Sequence, residues 1–131
     1  MASFVRGENR GTGDNLYHIM PLNLKTALSH RLGAWTNTLE AEMVEEKDRI
    51  SRVRNEVVTP DSTLVNLRSS YEWKHARLDI ALENALNKFY LPPLGGAYVG
   101  QGNAMSINTI PWGMAVPGRA RSLNIALAVK F

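Results

Sequence analysis

The chain contains no cysteine among its 131 residues. Disulfide frameworks, thiolate metal sites and cysteine nucleophiles are therefore excluded together. The chain also lacks any run near the roughly 18 to 20 consecutive apolar residues that a membrane-spanning helix needs. A role in a membrane would therefore depend on strands or on a helix lying at the surface. The first ten residues contain no apolar stretch of the kind that forms a secretory signal.

Charge and catalytic motifs are equally sparse. The net charge is +3, but the basic residues of the most charged stretch, 45–56, alternate with acidic ones, and no Lys/Arg tract appears. Nucleic acid is therefore not an expected partner. His18, His30 and His75 are too far apart to match a zinc-binding spacing. No nucleophile elbow and no dinucleotide-binding glycine pattern occur in the sequence, so we predict a protein that is not an enzyme and that has no metal site or cofactor.

The clearest positive feature is strict alternation over the last eleven residues, 121–131. In an extended chain, one side carries the large apolar side chains of Leu123, Ile125, Leu127, Val129 and Phe131. The other side carries the small or polar side chains of Asn124, Ala126, Ala128 and Lys130. In a soluble sandwich the apolar side would face a second sheet, and in an outer-membrane barrel it would face lipid.

The same alternation recurs along the chain. It predicts strands over 22–32, 34–43, 61–73 and 77–83, with a weaker candidate over 3–8. Tight turns are expected at 31–33 and 74–75, and long connections at 9–20, 47–60 and 89–117. The sequence therefore predicts an all-β antiparallel meander of about five to six strands. Short turns alternating with long connections are typical of outer-membrane barrels.

Two segments also have the composition of helices. Residues 39–57 are rich in Glu, Lys, Arg and Met, and residues 79–89 contain several good helix formers. A helix over 39–57 remains an alternative if the chain folds as an isolated soluble piece. We favour strands because the alternating stretches pair across the expected turns. Trp35, Tyr71 and Trp73 would then lie near the short turns, as the aromatic girdle of a membrane barrel does.

Several motifs resemble those of one family. Residues 84–90, Asn-Ala-Leu-Asn-Lys-Phe-Tyr, resemble the Asn-Leu-Phe-Asn/Asp motif of TonB-dependent outer-membrane receptors. Residues 13–21, 56–60 and 117–122 resemble, in order, three further motifs of these receptors, and the family's terminal strand ends on Phe as this chain does. The sequence departs from the family motifs at Tyr17, at Ala85 and Leu86, and at Ala120.

The resemblance implies that residues 1–131 form the carboxyl-terminal part of a receptor barrel in the bacterial outer membrane. The family's barrel has about 22 strands and a plugged lumen, whereas this sequence accounts for about six strands and shows no plug or TonB box. Such a receptor takes up a scarce nutrient, most often a ferric siderophore or another metal chelate. We expect this segment alone to be unable to transport.

The resemblance also implies sites and partners. Tyr90, Tyr98 and Trp112, in the last long connection, are candidates for contact with the chelate, and the apolar side of the terminal strand is expected to face lipid. The remaining barrel strands, or other chains joined through open strand edges, are the expected protein partners. The alternative is a small soluble β-barrel or α+β ligand-binding or interaction module, whose apolar faces would pack inward.

Overall fold

The computed structural model describes residues 1–97 and 113–130, and every regular element in these ranges is a strand. The six strands are β1 (Ala2–Ser3), β2 (Asn23–Leu32), β3 (Trp35–Val44), β4 (Ser62–Glu72), β5 (Ala76–Glu83) and β6 (Ser122–Val129). The predicted all-β meander is confirmed. The helix considered over 39–57 is wrong, because β3 continues to Val44 and the rest of that segment is irregular.

In these ranges no helix is long and apolar enough to cross a membrane.

Each strand pairs antiparallel with the next, which gives one open sheet in the order β1 to β6. The limits of β2 to β6 lie close to the predicted ones. The weaker candidate over 3–8 is wrong beyond its first residue, because the chain leaves the sheet after Ser3. It then forms a separate small ribbon, in which Glu8 bridges Asn15 and the Leu16 N–H donates to the Gly7 carbonyl over 3.2 Å.

The register places side chains of one kind in rows across the sheet. One row consists of a leucine from each of five strands: Leu28, Leu39, Leu67, Leu82 and Leu123. The row nearer the short turns is Leu32, Trp35, Tyr71, Leu78 and Leu127. We call this side the apolar face. The opposite, polar face carries ion pairs such as Lys25 with Glu42 and Arg68 with Glu40.

The two ends of the sheet differ. At one end, which we call the turn end, β2 and β3 are joined by Gly33 and Ala34, and β4 and β5 by residues 73–75. Gly33 has φ 59°, a left-handed conformation that suits the first central position of a tight hairpin. At the other end, which we call the loop end, lie the connections 4–22, 45–61 and 84–121.

Burial is concentrated at the loop end. No side chain in the described residues is completely buried, and the apolar face has no second layer over it. The most protected residues lie in or next to the long connections: Asn23, Val44, Lys47, Ser51, Thr59, Asn84 and Ala115. The described part of the chain is thus a sheet whose apolar face is uncovered and whose loop end is packed.

Candidate functional site

The centre of the loop end is an ion pair between Lys47 and Glu56. Their side chains are 2% and 7% exposed, and Lys47 Nζ lies 2.5 Å from Glu56 Oε1. Lys47 Nζ also donates to the Pro93 carbonyl over 2.9 Å. Glu56 in turn accepts from the backbone N–H groups of Ser51 and His18, over 2.8 and 3.0 Å. This one pair therefore joins all three long connections.

These contacts determine the ionisation of Glu56. Burial alone would raise the pKa of its carboxyl group, because water no longer solvates the charge. The hydrogen bonds from Lys47, Ser51 and His18 together outweigh burial and bring the pKa below its ordinary value. Glu56 is therefore held as a carboxylate at neutral pH.

Asp14 forms a second link between the first two connections. Its carboxylate accepts from the Arg52 N–H at 3.1 Å, from Ser51 Oγ at 2.8 Å and from the Val53 N–H at 3.3 Å. The pKa of Asp14 is lowered, first by the bond from the Arg52 backbone and then by the Ser51 hydroxyl. Connection 45–61 is thus held by two carboxylates that accept its backbone N–H groups.

Asn84 closes the root of the last connection. Its side chain is buried, and Nδ2 donates to the carbonyls of Lys88 and Arg119 over 2.8 and 3.1 Å. Oδ1 accepts from the Lys88 N–H at 2.9 Å, and the Asn84 N–H donates to Asn66 Oδ1 at 2.9 Å. Asn84 adopts φ 48°, which Asn tolerates better than most residues. The first residue of the motif at 84–90 therefore fastens both ends of the connection.

Residues from all three connections line a cavity of about 200 Å³ at the loop end. Tyr17 and His18 come from the first connection, Arg54 from the second and Pro93 from the third. The Arg54 guanidinium carbon lies 6.0 Å from the centre of the Tyr17 ring, within the range of a cation–π contact. The cavity thus offers an aromatic ring and a positive charge to a ligand. Tyr17 is one of the residues at which the sequence departs from the family motif.

The structure places only some of the predicted site residues. Tyr90 is half-buried at the root of the last connection, where its carbonyl accepts from the Gly118 N–H at 2.9 Å and its ring fills the space beside Gly118. Tyr98 and Trp112 lie outside the described residues, so contact of these three side chains with a ligand stays a prediction. On β6, the side chains of Leu123, Ile125, Leu127 and Val129 are all more than half exposed. Phe131 also lies outside the described residues.

Sequence reasoning missed the Lys47–Glu56 pair and the role of Asp14. Lys47 lies in the run Glu-Glu-Lys-Asp-Arg, which is typical of a solvated surface. Glu56 begins the motif at 56–60, so the resemblance pointed to this residue but not to its partner. No cluster of three or more histidine or acidic side chains suited to a metal ion occurs within 1–97 and 113–130.

Comparisons with known proteins give one informative result. No protein-family model and no curated protein matches the sequence. Among solved structures, the chain is similar to the copper transporter OprC, with a TM-score of 0.85 and 18% sequence identity over 99% of this chain. The likeness covers 20% of OprC, so the chain spans about a fifth of that transporter's length. The chain therefore has the fold of one part of a much longer transporter.

Proposed function

We propose that this chain is a section of the barrel wall of a TonB-dependent outer-membrane receptor that imports a metal or a metal chelate. The observation that carries the proposal is the likeness to OprC. Nearly the whole length of this chain, an open six-stranded meander, matches one part of that transporter. The motifs at 84–90 and 117–122, which resemble those of TonB-dependent receptors, point to the same family from the sequence alone.

The two faces of the sheet support this assignment. Leu28, Leu123, Ile125 and Leu127 are each 63% to 72% exposed, which is unfavourable in water and suitable against lipid tails. The opposite face has the ion pairs and short polar side chains expected of a wall that borders a polar lumen.

The two ends of the sheet give the wall a direction. At the turn end, the Trp35 and Tyr71 rings lie 4.8 Å apart, and the Tyr71 and Trp73 rings 4.5 Å apart. Amphipathic rings of this kind collect at the boundary between lipid and water. The turn end therefore lies at the periplasmic boundary, and the long connections lie outside the cell.

The ligand is proposed as a metal ion or chelate, by analogy with the copper named for OprC and with the family that the motifs resemble. In the complete receptor, Tyr90, Tyr98, Trp112 and the cavity beside Tyr17 and Arg54 would lie on the outer side, where the chelate arrives. The plug and the coupling to TonB belong to the remainder of the receptor, so residues 1–131 alone do not transport.

Tryptophan fluorescence tests the position of the wall. In a complete receptor whose tryptophans are reduced to Trp35 and Trp73, lipids brominated near the headgroup should quench the tryptophan fluorescence more than lipids brominated deep in the chains. Ile80→Lys on the apolar face should destabilise the inserted sheet by about 1 to 3 kcal/mol, because its row lies between the aromatic boundary and the bilayer midplane. Ala81→Lys, its neighbour on the polar face, is the control and should have little effect. Equal effects of the two lysines would contradict the assignment of faces.

Uptake by cells tests transport. Deletion of the gene for the whole receptor should abolish the uptake of radioactive copper or of a ferric chelate under metal limitation. Loss of TonB should produce the same defect. Unchanged uptake of both metals in the deletion strain would overturn the proposed ligand class.

A further inference from the structure

One row of the apolar face is polar on three of its strands. His30, Asn37 and Ser69 are direct partners across β2, β3 and β4, and the row continues as Ile80 and Ile125 on β5 and β6. Ser69 Oγ donates to Asn37 Oδ1 over 2.8 Å. Asn37 and His30 are exposed, and within the described residues the Asn37 amide NH2 has no hydrogen-bond partner.

The polar row also forms a depression in the face. The row lies between the leucine row on one side and the row containing Leu32, Trp35 and Tyr71 on the other. Asn37 and Ser69 are shorter than most of these neighbours, and a shallow hollow of about 420 Å³ opens there, with walls that include Leu28, Leu39 and Leu67. The depression therefore combines a hydrogen-bonding floor with apolar walls.

The inference rests on the proposed function, because the depth of this row in a membrane decides what surrounds its polar groups. Asn37 is two residues from Trp35, and Ser69 two residues from Tyr71, which is about 7 Å along each strand. The row thus lies inside the aromatic boundary, where the surroundings are lipid tails. Lipid tails offer no hydrogen-bonding partners, so polar groups at this depth favour contact with another protein surface.

We propose that a second copy of the chain docks on this depression, with Asn37 at the two-fold axis. Two receptors inserted in the same direction are related by an axis along the membrane normal, so the residue on that axis meets itself at the same depth. A carboxamide has both a donor and an acceptor, and two of them can therefore form reciprocal hydrogen bonds. The isoleucines of β5 and β6 offer no such bonds, and the contact is accordingly confined to β2, β3 and β4.

Because the chain contains no cysteine, single cysteines can report on this contact. Complete receptors that carry Asn37→Cys, reconstituted in vesicles, should be joined into dimers by a short bismaleimide. Ile80→Cys, on the same face and row but two strands away, should give far less dimer. Ile125→Cys reports on association through the part of the wall around β6. Cross-linking at Ile125→Cys without cross-linking at Asn37→Cys would mean association through another part of the wall and would overturn the proposal.

A second measurement does not depend on cysteine. Asn37→Leu should weaken self-association about three- to tenfold in energy-transfer titrations against lipid, the size expected for a hydrogen bond between membrane segments. Asn124→Leu, on the polar face of β6, should leave it unchanged. Flotation with the vesicles separates the two hypotheses. Insertion is judged in the complete receptor, in which the remaining strands close the open edges of this sheet. Failure of residues 1–131 to insert there overturns both the proposed function and this inference, and insertion without Asn37→Cys dimers overturns the inference alone.

Discussion

The sheet and the loop end are stabilised in different ways. The sheet depends on its backbone ladders, and the large side chains of its apolar face are exposed on an uncovered surface. The loop end contains all the buried residues of the described chain, and most of them are polar: Asn23, Lys47, Ser51, Thr59 and Asn84. The sheet therefore needs a second surface or lipid to cover it. The loop end pairs most of its buried polar side-chain atoms within itself, and within the described residues Asn23 Oδ1 and Thr59 Oγ1 are the exceptions.

Breaking the ion pair at the loop end should produce the largest effect. Lys47→Met leaves Glu56 charged and without its partner in a buried position, which costs about 3 to 5 kcal/mol. Urea unfolding in detergent micelles measures the loss, and hydrogen exchange should place it in residues 45–61. The matched control is Lys25→Met, which breaks an exposed pair on the polar face and should cost about 1 kcal/mol or less. A similar loss in the two variants would remove the distinction between the two regions.

Removing the side-chain hydrogen bonds of Asn84 should have the next largest effect on stability. Asn84→Ala removes three side-chain hydrogen bonds and places alanine in a left-handed conformation, at a cost of about 2 to 4 kcal/mol. Asn84→Gly keeps the backbone conformation accessible and should recover about 1 kcal/mol of that cost. The measurement is urea unfolding together with proteolysis near residues 88 and 119. Unchanged proteolysis in both variants would show that the connection is held elsewhere.

Acid should affect the loop end more gently than either substitution. Glu56 and Asp14 have lowered pKa values in the folded chain, so the stability that they contribute is complete above their unfolded values, about 4. It is lost as the pH falls through the lower folded values. Hydrogen exchange, corrected for the intrinsic rate, should therefore show protection of 45–61 falling below pH 4, before that of the strands. A Lys47→Met/Glu56→Gln chain should show a smaller change.

The strands could be predicted from the sequence because each carries its own signal. Alternation marks the two faces of a strand locally, and a shift of one residue would move Leu39 or Ile80 to the polar face, so the pattern also constrains the register. The first strand has two residues, which is too few for alternation, and the weak pattern over 3–8 falls mostly on the connection that follows it. The hydrogen bonds of the Asp14 and Glu56 carboxylates depend on which connections meet at the loop end. The residues that decide this are spread from 14 to 56 and include 93. Asn84 and Glu56 each had a local signal, because each begins one of the motifs described above.

The hydrogen bonds of Asn84 separate sequence changes within the last connection from changes in the pairing of β5 with β6. Lys88 and Arg119 are fixed to the same side chain, and the Arg121 N–H is held by Asn87 Oδ1 over 3.1 Å. The last connection therefore starts and finishes at the same place, whatever its intervening sequence. Residues between these points can be replaced, lengthened or exchanged between related proteins without resetting β5 against β6. Natural variation in sequence can accumulate in this connection, and an engineered segment could be inserted at the same place.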